Sequence, residues 1–180
     1  QAGDEWIGHL VRVTLGAGYA IDGNGPAAEK WLREARDGFA RVNDTFGESA
    51  ALVWLALNEH WHNRPGPALE IFAELLERVE RHGYDFLLTR PTHIGLKDEQ
   101  AVIPLLLAAR QCGVQPALVR RMLHALAAED LEDHPGYGLY VRTLGPFDVW
   151  RGQVLVRPGD WQREKARHLF QLLITERGLW

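Results

Sequence analysis

GPAAEKWLREARDGFARV, residues 25–42, and GPALEIFAELLERVERHG, residues 66–83, align at an offset of 41 residues, and this pair decides the fold class. Each opens on Gly-Pro, where a proline at the first helical positions gives up only an N–H that has no intrahelical partner. Each continues with apolar residues at helical spacing. A further apolar-periodic stretch precedes each one, WIGHLVRVTLGAGYAI at 6–21 and ESAALVWLALNEHWH at 48–62. Small residues recur where paired helices must approach closely: Gly16, Ala17 and Ala20, then Ala50, Ala51 and Ala56. Residues 5–83 therefore read as helical throughout. Two self-similar helices per ~40 residues is the pattern of an α-solenoid of the tetratricopeptide kind. Such arrays need about three repeats, so two copies suggest a segment of a longer array.

The connector YDFLLTRPTHIGLKDEQ (84–100) contains the breakers Pro91 and Gly95. In DEQAVIPLLLAARQCG (98–113) Asp98 is an expected N-cap and Gly113 an expected stop, and the helix either kinks or starts at Pro104. In QPALVRRMLHALAAED (115–130) Pro116 lies near the first turn, and Ala117, Leu118, Met122, Leu123 and Leu126 form one side. The polar run AEDLEDHPGYG (128–138) reads as a linker. Beyond it the hydrophobic period changes from 3.6 to 2. Strands are expected at Leu139–Leu144, Phe147–Trp150 and Gln153–Arg157, the last two joined by a tight turn at Arg151-Gly152. Asp160 is then expected to cap a helix from about Trp161 to Glu176, with Ala166, Leu169, Phe170 and Leu173 on its apolar side and Gly178 as its stop.

The expected fold class is thus mainly α. A tetratricopeptide-like α-solenoid of helical hairpins fills 1–128, a linker 129–138, and a small antiparallel sheet with one helix 139–180. Apolar residues make up 46% and charged residues 24%, the composition of a globular rather than a disordered chain. No apolar run reaches the ~18–20 residues that span a bilayer, and QAGDEW lacks the basic and apolar regions of a signal peptide. A cytoplasmic protein with no membrane partner, cut from a longer polypeptide, is expected. The single Cys112 cannot form an internal disulfide and reads as a small buried hydrophobe. Charge is uneven: residues 1–138 hold 13 Lys/Arg against 20 Asp/Glu, and residues 139–180 hold 7 against 4. A basic end on an acidic body hints at a polyanion.

The end of the chain carries a more specific signal. Leu144-Gly145-Pro146-Phe147, then Arg163, Lys165, Ala166, Arg167, Leu169, Leu172 and Leu173, then Glu176–Gly178, resemble the start of the winged-helix DNA-binding domain of bacterial transcriptional activators of the SARP type. QCGVQPALVRRMLHAL also resembles the last helix pair of the tetratricopeptide superhelix in maltose-regulator-like ATPases. The resemblance implies a bacterial transcriptional regulator, in which a sensing or scaffolding helical region leads into a winged helix. It also implies that base reading falls to a later helix and wing. DNA candidates here are therefore backbone-directed: Arg157, Arg163, Lys165 and Arg167. DNA is the expected partner of the intact protein, with weak or no binding by these 180 residues. In such regulators the superhelix senses an effector.

Tyr19, Trp31, Arg33, Arg36, Trp54 and Trp61 are candidates for a surface that takes a protein or small-molecule effector, against inter-helix packing for the aromatics. Leu169, Phe170 and Leu173 are expected to pack on neighbouring helices or on a second molecule, giving a homo-oligomer. Trp150 and Trp161 read as cover for the sheet. Glu59, His60 and His62 invite a metal reading, but i and i+2 side chains on a helix point about 200° apart, so no metal is expected. LGAGYAIDGNG follows no strand and precedes no Lys-Ser/Thr, so it is no phosphate cradle. Ser49 is the single serine, and no nucleophile–base arrangement can be drawn. Neither an enzyme nor a cofactor is expected. The alternative to the regulator is a protein–protein interaction scaffold of helical repeats with no DNA role.

Overall fold

The computed structural model describes residues 2–134, 136, 139–151, 154–161 and 163–176. The described chain is mainly helical with a small antiparallel sheet, and it divides into two compact units, 1–136 and 137–180. Unit 1 begins with four long helices: α1 (Ala2–Ile21), α2 (Gly25–Arg41), α3 (Thr45–Trp61) and α4 (Pro65–His82). Three-residue turns separate these four helices. Gly23, Asn43, Asn63 and Gly83 adopt left-handed φ of 76°, 56°, 56° and 70°. These residue types tolerate that conformation best. After each, the next N–H closes back five residues: Asn24 to the Tyr19 carbonyl, Asp44 to Phe39, Arg64 to Glu59 and Tyr84 to Val79. Each closure satisfies a carbonyl that the helix end would leave unpaired. Asn24 Oδ1 then accepts from Ala27 N, and Asp44 Oδ1 accepts from Phe46 N and Gly47 N, to start the next helix.

The turns recur every 20 residues, so the repeat is 40 residues long and not the 41 of the Gly-Pro alignment. In the 40-residue register the buried residues coincide: Ala28 with Ala68, Leu32 with Phe72, Ala35 with Leu75, Phe39 with Val79. In the other register Phe39 would match the exposed Glu80. The Gly-Pro pairs mislead because α4 starts at Pro65, which places Pro67 one position deeper than Pro26. All first-turn N–H groups lack helical partners, so proline is tolerated at either place.

α3 is the centre of the unit. It packs against α1, α2 and α4, and every residue from Gly47 to Glu59 is buried. Close approach depends on glycine: a Cβ on Gly16 would lie 2.5 Å from the Leu32 side chain, and one on Gly47 would lie 2.4 Å from the Phe39 ring. A short α5 (Phe86–Thr89) precedes a connector, and then α6 (Ile103–Gln111) and α7 (Pro116–Ala125) form a third pair, with α6 packed on α4. Pro104 stands in the first turn of α6 rather than kinking the helix, after a 3-10 turn that Asp98 caps through Gln100 N. On α7 Val119 is buried, whereas Ala117 is exposed, contrary to the expected apolar side. Cys112 is exposed as well, since it stands at the end of α6 beside the left-handed Gly113.

Residues 129–136, expected as linker, belong to unit 1. The Arg110 guanidinium donates to the carbonyls of Glu129 and Leu131, and Ala128 and His134 are buried. In unit 2, β1 (Leu139–Arg142), β2 (Asp148–Arg151) and β3 (Val154–Leu155) form an antiparallel sheet in the order 1-2-3, with Leu139 opposite Arg151 and Trp150 opposite Leu155. β1 and β3 are shorter than expected and β2 is shifted by one residue, and the Arg151-Gly152 turn and Gly178 stop fall on Gly152 and Gly178, outside the described residues. α8 spans Glu164–Thr175 and is entered from Arg163. Asp160 does not cap it. Its carboxylate instead accepts from Arg157 N at 2.8 Å and closes a 3-10 turn at Pro158–Asp160, so Trp161 lies before the helix.

Candidate functional site

Unit 1 contains an apolar cavity of about 410 Å³, within the range of small-molecule sites. Its wall includes Ala20 and Ile21 at the end of α1, Gly23 in the turn that follows, Trp54 and Trp61 on α3, and Leu96–Asp98 with Ala101 from the connector. Helical spacing sets the tryptophans, seven residues apart, on one side of α3. Their rings meet edge to face, with centroids 6.4 Å apart. Trp54 is 4% exposed, and its indole N–H donates to the Ile94 carbonyl at 2.9 Å, which pins the connector across the helices. Trp61 is 40% exposed and presents its ring to an incoming molecule. The connector is folded tightly: Gly95 N donates to Thr92 Oγ1 at 2.8 Å and Thr92 N to the Leu96 carbonyl at 3.1 Å. Gly95 is required here, because a Cβ would lie 2.4 Å from Thr92 Oγ1.

Lys97 and Asp98 are the two charged residues of this wall, and both are exposed. Lys97 Nζ donates to the Thr92 carbonyl over 3.4 Å. Gly136 also lines the cavity, and its N–H donates to His134 Nδ1 at 3.0 Å. That nitrogen is therefore unprotonated. Burial lowers the His134 pKa from the ordinary imidazole value, against the raising effect of Asp133 and Asp98. Such a wall suits a flat, mostly apolar molecule with one or two polar groups.

Of the six surface candidates, the structure brings Trp54 and Trp61 together at the cavity. Tyr19 is half-buried against the core. Trp31 lies under the Lys30 ammonium, 5.4 Å from its ring centroid, and Arg33 and Arg36 pair with Glu29 and Asp37 on α2. Sequence reasoning missed Ile21, Leu96, Lys97 and Ala101. The signal available was an apolar Ile94-Gly95-Leu96 inside a segment otherwise read only for its breakers. Glu59, His60 and His62 do not converge: Glu59 pairs with Arg64 at 2.8 Å, and the His62 ring lies between the Asn58 and Gly23 carbonyls.

In unit 2, Arg157, Arg163 and Lys165 are exposed. Arg167 is half-buried. It donates to the Phe147 carbonyl at 3.2 Å and lies over the Phe147 ring. Phe170 is covered by Phe147 and Trp161, with centroids 6.2 and 5.6 Å away. Leu169 and Leu173 remain 56% and 47% exposed. Val149 is the one buried apolar residue among the described residues of unit 2. An open apolar hollow is lined by Leu139, Leu155, Val156, Trp161 and Phe170. No family model, curated protein or solved structure matches the chain.

Proposed function

We propose that the chain is part of a bacterial transcriptional regulator, in which the helical repeats take a small, largely apolar effector and the sheet–helix unit forms the start of a winged helix. The observation that supports it best is the build of unit 2. Three antiparallel strands lead into a helix whose first turn presents Arg163 and Lys165 to solvent, with an open hollow and uncovered Leu169, Leu172 and Leu173. Cations at a helix N-terminus oppose the macrodipole, at roughly 0.3–1 kcal/mol each. A nucleic-acid phosphate at that end offsets the conflict. The uncovered leucines are reserved for the helices that follow in a complete winged helix. The sensing role rests on the Trp54–Trp61 cavity, and the aromatic faces there favour a planar ligand.

The 180-residue chain itself is expected to bind duplex DNA weakly or not at all. The polypeptide extended by the next ~50 encoded residues, enough for a recognition helix and wing, should retard random duplex DNA at low salt. Arg163→Glu with Lys165→Glu should weaken that binding evenly across sequences and flatten its salt dependence by about two phosphate contacts. An extended polypeptide that leaves the duplex unshifted at about 50 mM salt rejects the regulator reading in favour of a scaffold.

A further inference from the structure

The polar groups in the wall of the unit 1 cavity are unevenly engaged. Four side chains there can form hydrogen bonds: Trp54, Trp61, Lys97 and Asp98. Trp54 gives its indole N–H to the Ile94 carbonyl at 2.9 Å. Asp98 is held as the cap of the 3-10 turn, its Oδ1 accepting from Gln100 N at 3.0 Å. The Gly136 N–H is taken by His134 Nδ1, and the Gly23 carbonyl meets His62 Nε2 at 3.2 Å. Lys97 and Trp61 differ from these. Among the described residues the Lys97 ammonium makes a single hydrogen bond, to the Thr92 carbonyl at 3.4 Å, and no ion pair. That bond is longer than usual, and an ammonium has three protons to donate. Among the same residues no acceptor meets the Trp61 indole N–H.

Both open groups are donors, and one of them is charged, so the ligand that completes this wall supplies an acceptor with negative charge. A cation could stack on the Trp61 face, but it would meet the Lys97 ammonium in the same wall, and the nearest carboxylate is the one that caps the turn. The position of Lys97 is set by the fold: it follows Leu96, which is 1% exposed, in a connector closed through Thr92. The remaining wall is apolar, and the 40% exposed Trp61 ring offers a flat face. We propose that the cavity takes a small planar aromatic acid, with its ring against Trp61 and its carboxylate at Lys97. This rests on the reading of the cavity as an effector site and names the class of effector.

Isothermal titration calorimetry of the 180-residue chain with three probes of one shape tests it: naphthylacetate, its neutral amide naphthylacetamide, and the cation naphthylethylamine, all of the same ring isomer. At neutral pH and low salt the acid should bind about tenfold more tightly than the amide, and the amine most weakly. Lys97→Gln should bring the acid and the amide level. Lys97 is exposed, so circular dichroism of this variant should match the parent. Trp61→Ala should weaken the acid and the amide by a similar factor, which locates both in this cavity. An amide or amine that binds as tightly as the acid overturns this proposal alone. So does a preference for the acid that survives Lys97→Gln, or binding that Trp61→Ala leaves unchanged. If none of the three binds at up to about 1 mM, the effector reading of the cavity falls together with the proposal.

Discussion

Replacing Phe39 by Ala is expected to lower the stability of the helical unit by about 3–5 kcal/mol, the range for a fully buried ring removed from a core. Phe39 is 0% exposed and joins three helices. From α2 its ring meets the His9 ring of α1 edge to face, with centroids 5.4 Å apart, and lies against Gly47 of α3. Neither neighbour fills the space when the ring is lost, because Gly47 has no side chain and His9 is fixed beside Gly38. A Cβ on Gly38 would already be 2.2 Å from the His9 ring. Burial lowers the pKa of His9 from the ordinary value, helped by Arg12 and Arg41 and opposed by Glu5, which favours a neutral packing group. Against a total of about 5–15 kcal/mol this single change removes a large fraction. The melting temperature should fall by about 10 °C, and Phe39→Leu should cost far less. A fall of under about 2 °C, less than 1 kcal/mol in a chain of this size, means the three-helix junction is wrongly drawn.

Arg78→Met should cost about 3 kcal/mol through a different mechanism. Arg78 on α4 places Nη1 2.9 Å from Glu48 Oε2 on α3, and its Nη2 3.1 Å from Glu74 on its own helix. Glu48 is 8% exposed, so loss of the guanidinium strands a carboxylate between helices. Breaking a buried pair in this way costs about 3–5 kcal/mol, and the partial exposure of Arg78 sets the lower end. Glu48→Gln on the Arg78→Met background should restore most of the loss, because the stranded charge is then gone. Chemical denaturation of the two single variants and the double gives the coupling directly. A double variant no more stable than Arg78→Met alone assigns the loss to packing of the arginine stem instead.

The helices were legible where local chemistry marks both ends. Pro26 and Pro116 open helices, and Gly113 closes one, in both sequence and structure. The repeat length was not legible, because the Gly-Pro pairs are freer to shift along a first turn than left-handed residues are along a closing turn. Asn43 and Asn63 hold the true period, yet each is an unremarked polar residue in the linear chain. The polar run after α7 was misjudged for a similar reason. Its side chains suggest solvent, but Arg110 binds its backbone carbonyls, and composition says nothing about carbonyls. At the cavity, Trp54 and Trp61 were visible as aromatic residues on one helix. Leu96 and Ala101 join them through a connector whose path depends on the Trp54 indole holding the Ile94 carbonyl. Arg167 matched the DNA-contact pattern of its resemblance, and the structure turns it inward to Phe147.

α3 is the common floor of the repeat core and of the cavity, so hydrogen exchange along the chain is the most direct measure of this account. Peptides within Gly47–Glu59 should exchange slowest and open together with α2 and α4, while Glu164–Thr175 exchanges faster in an opening of its own. Rapid exchange within Gly47–Glu59, or one opening shared by α3 and α8, would contradict it.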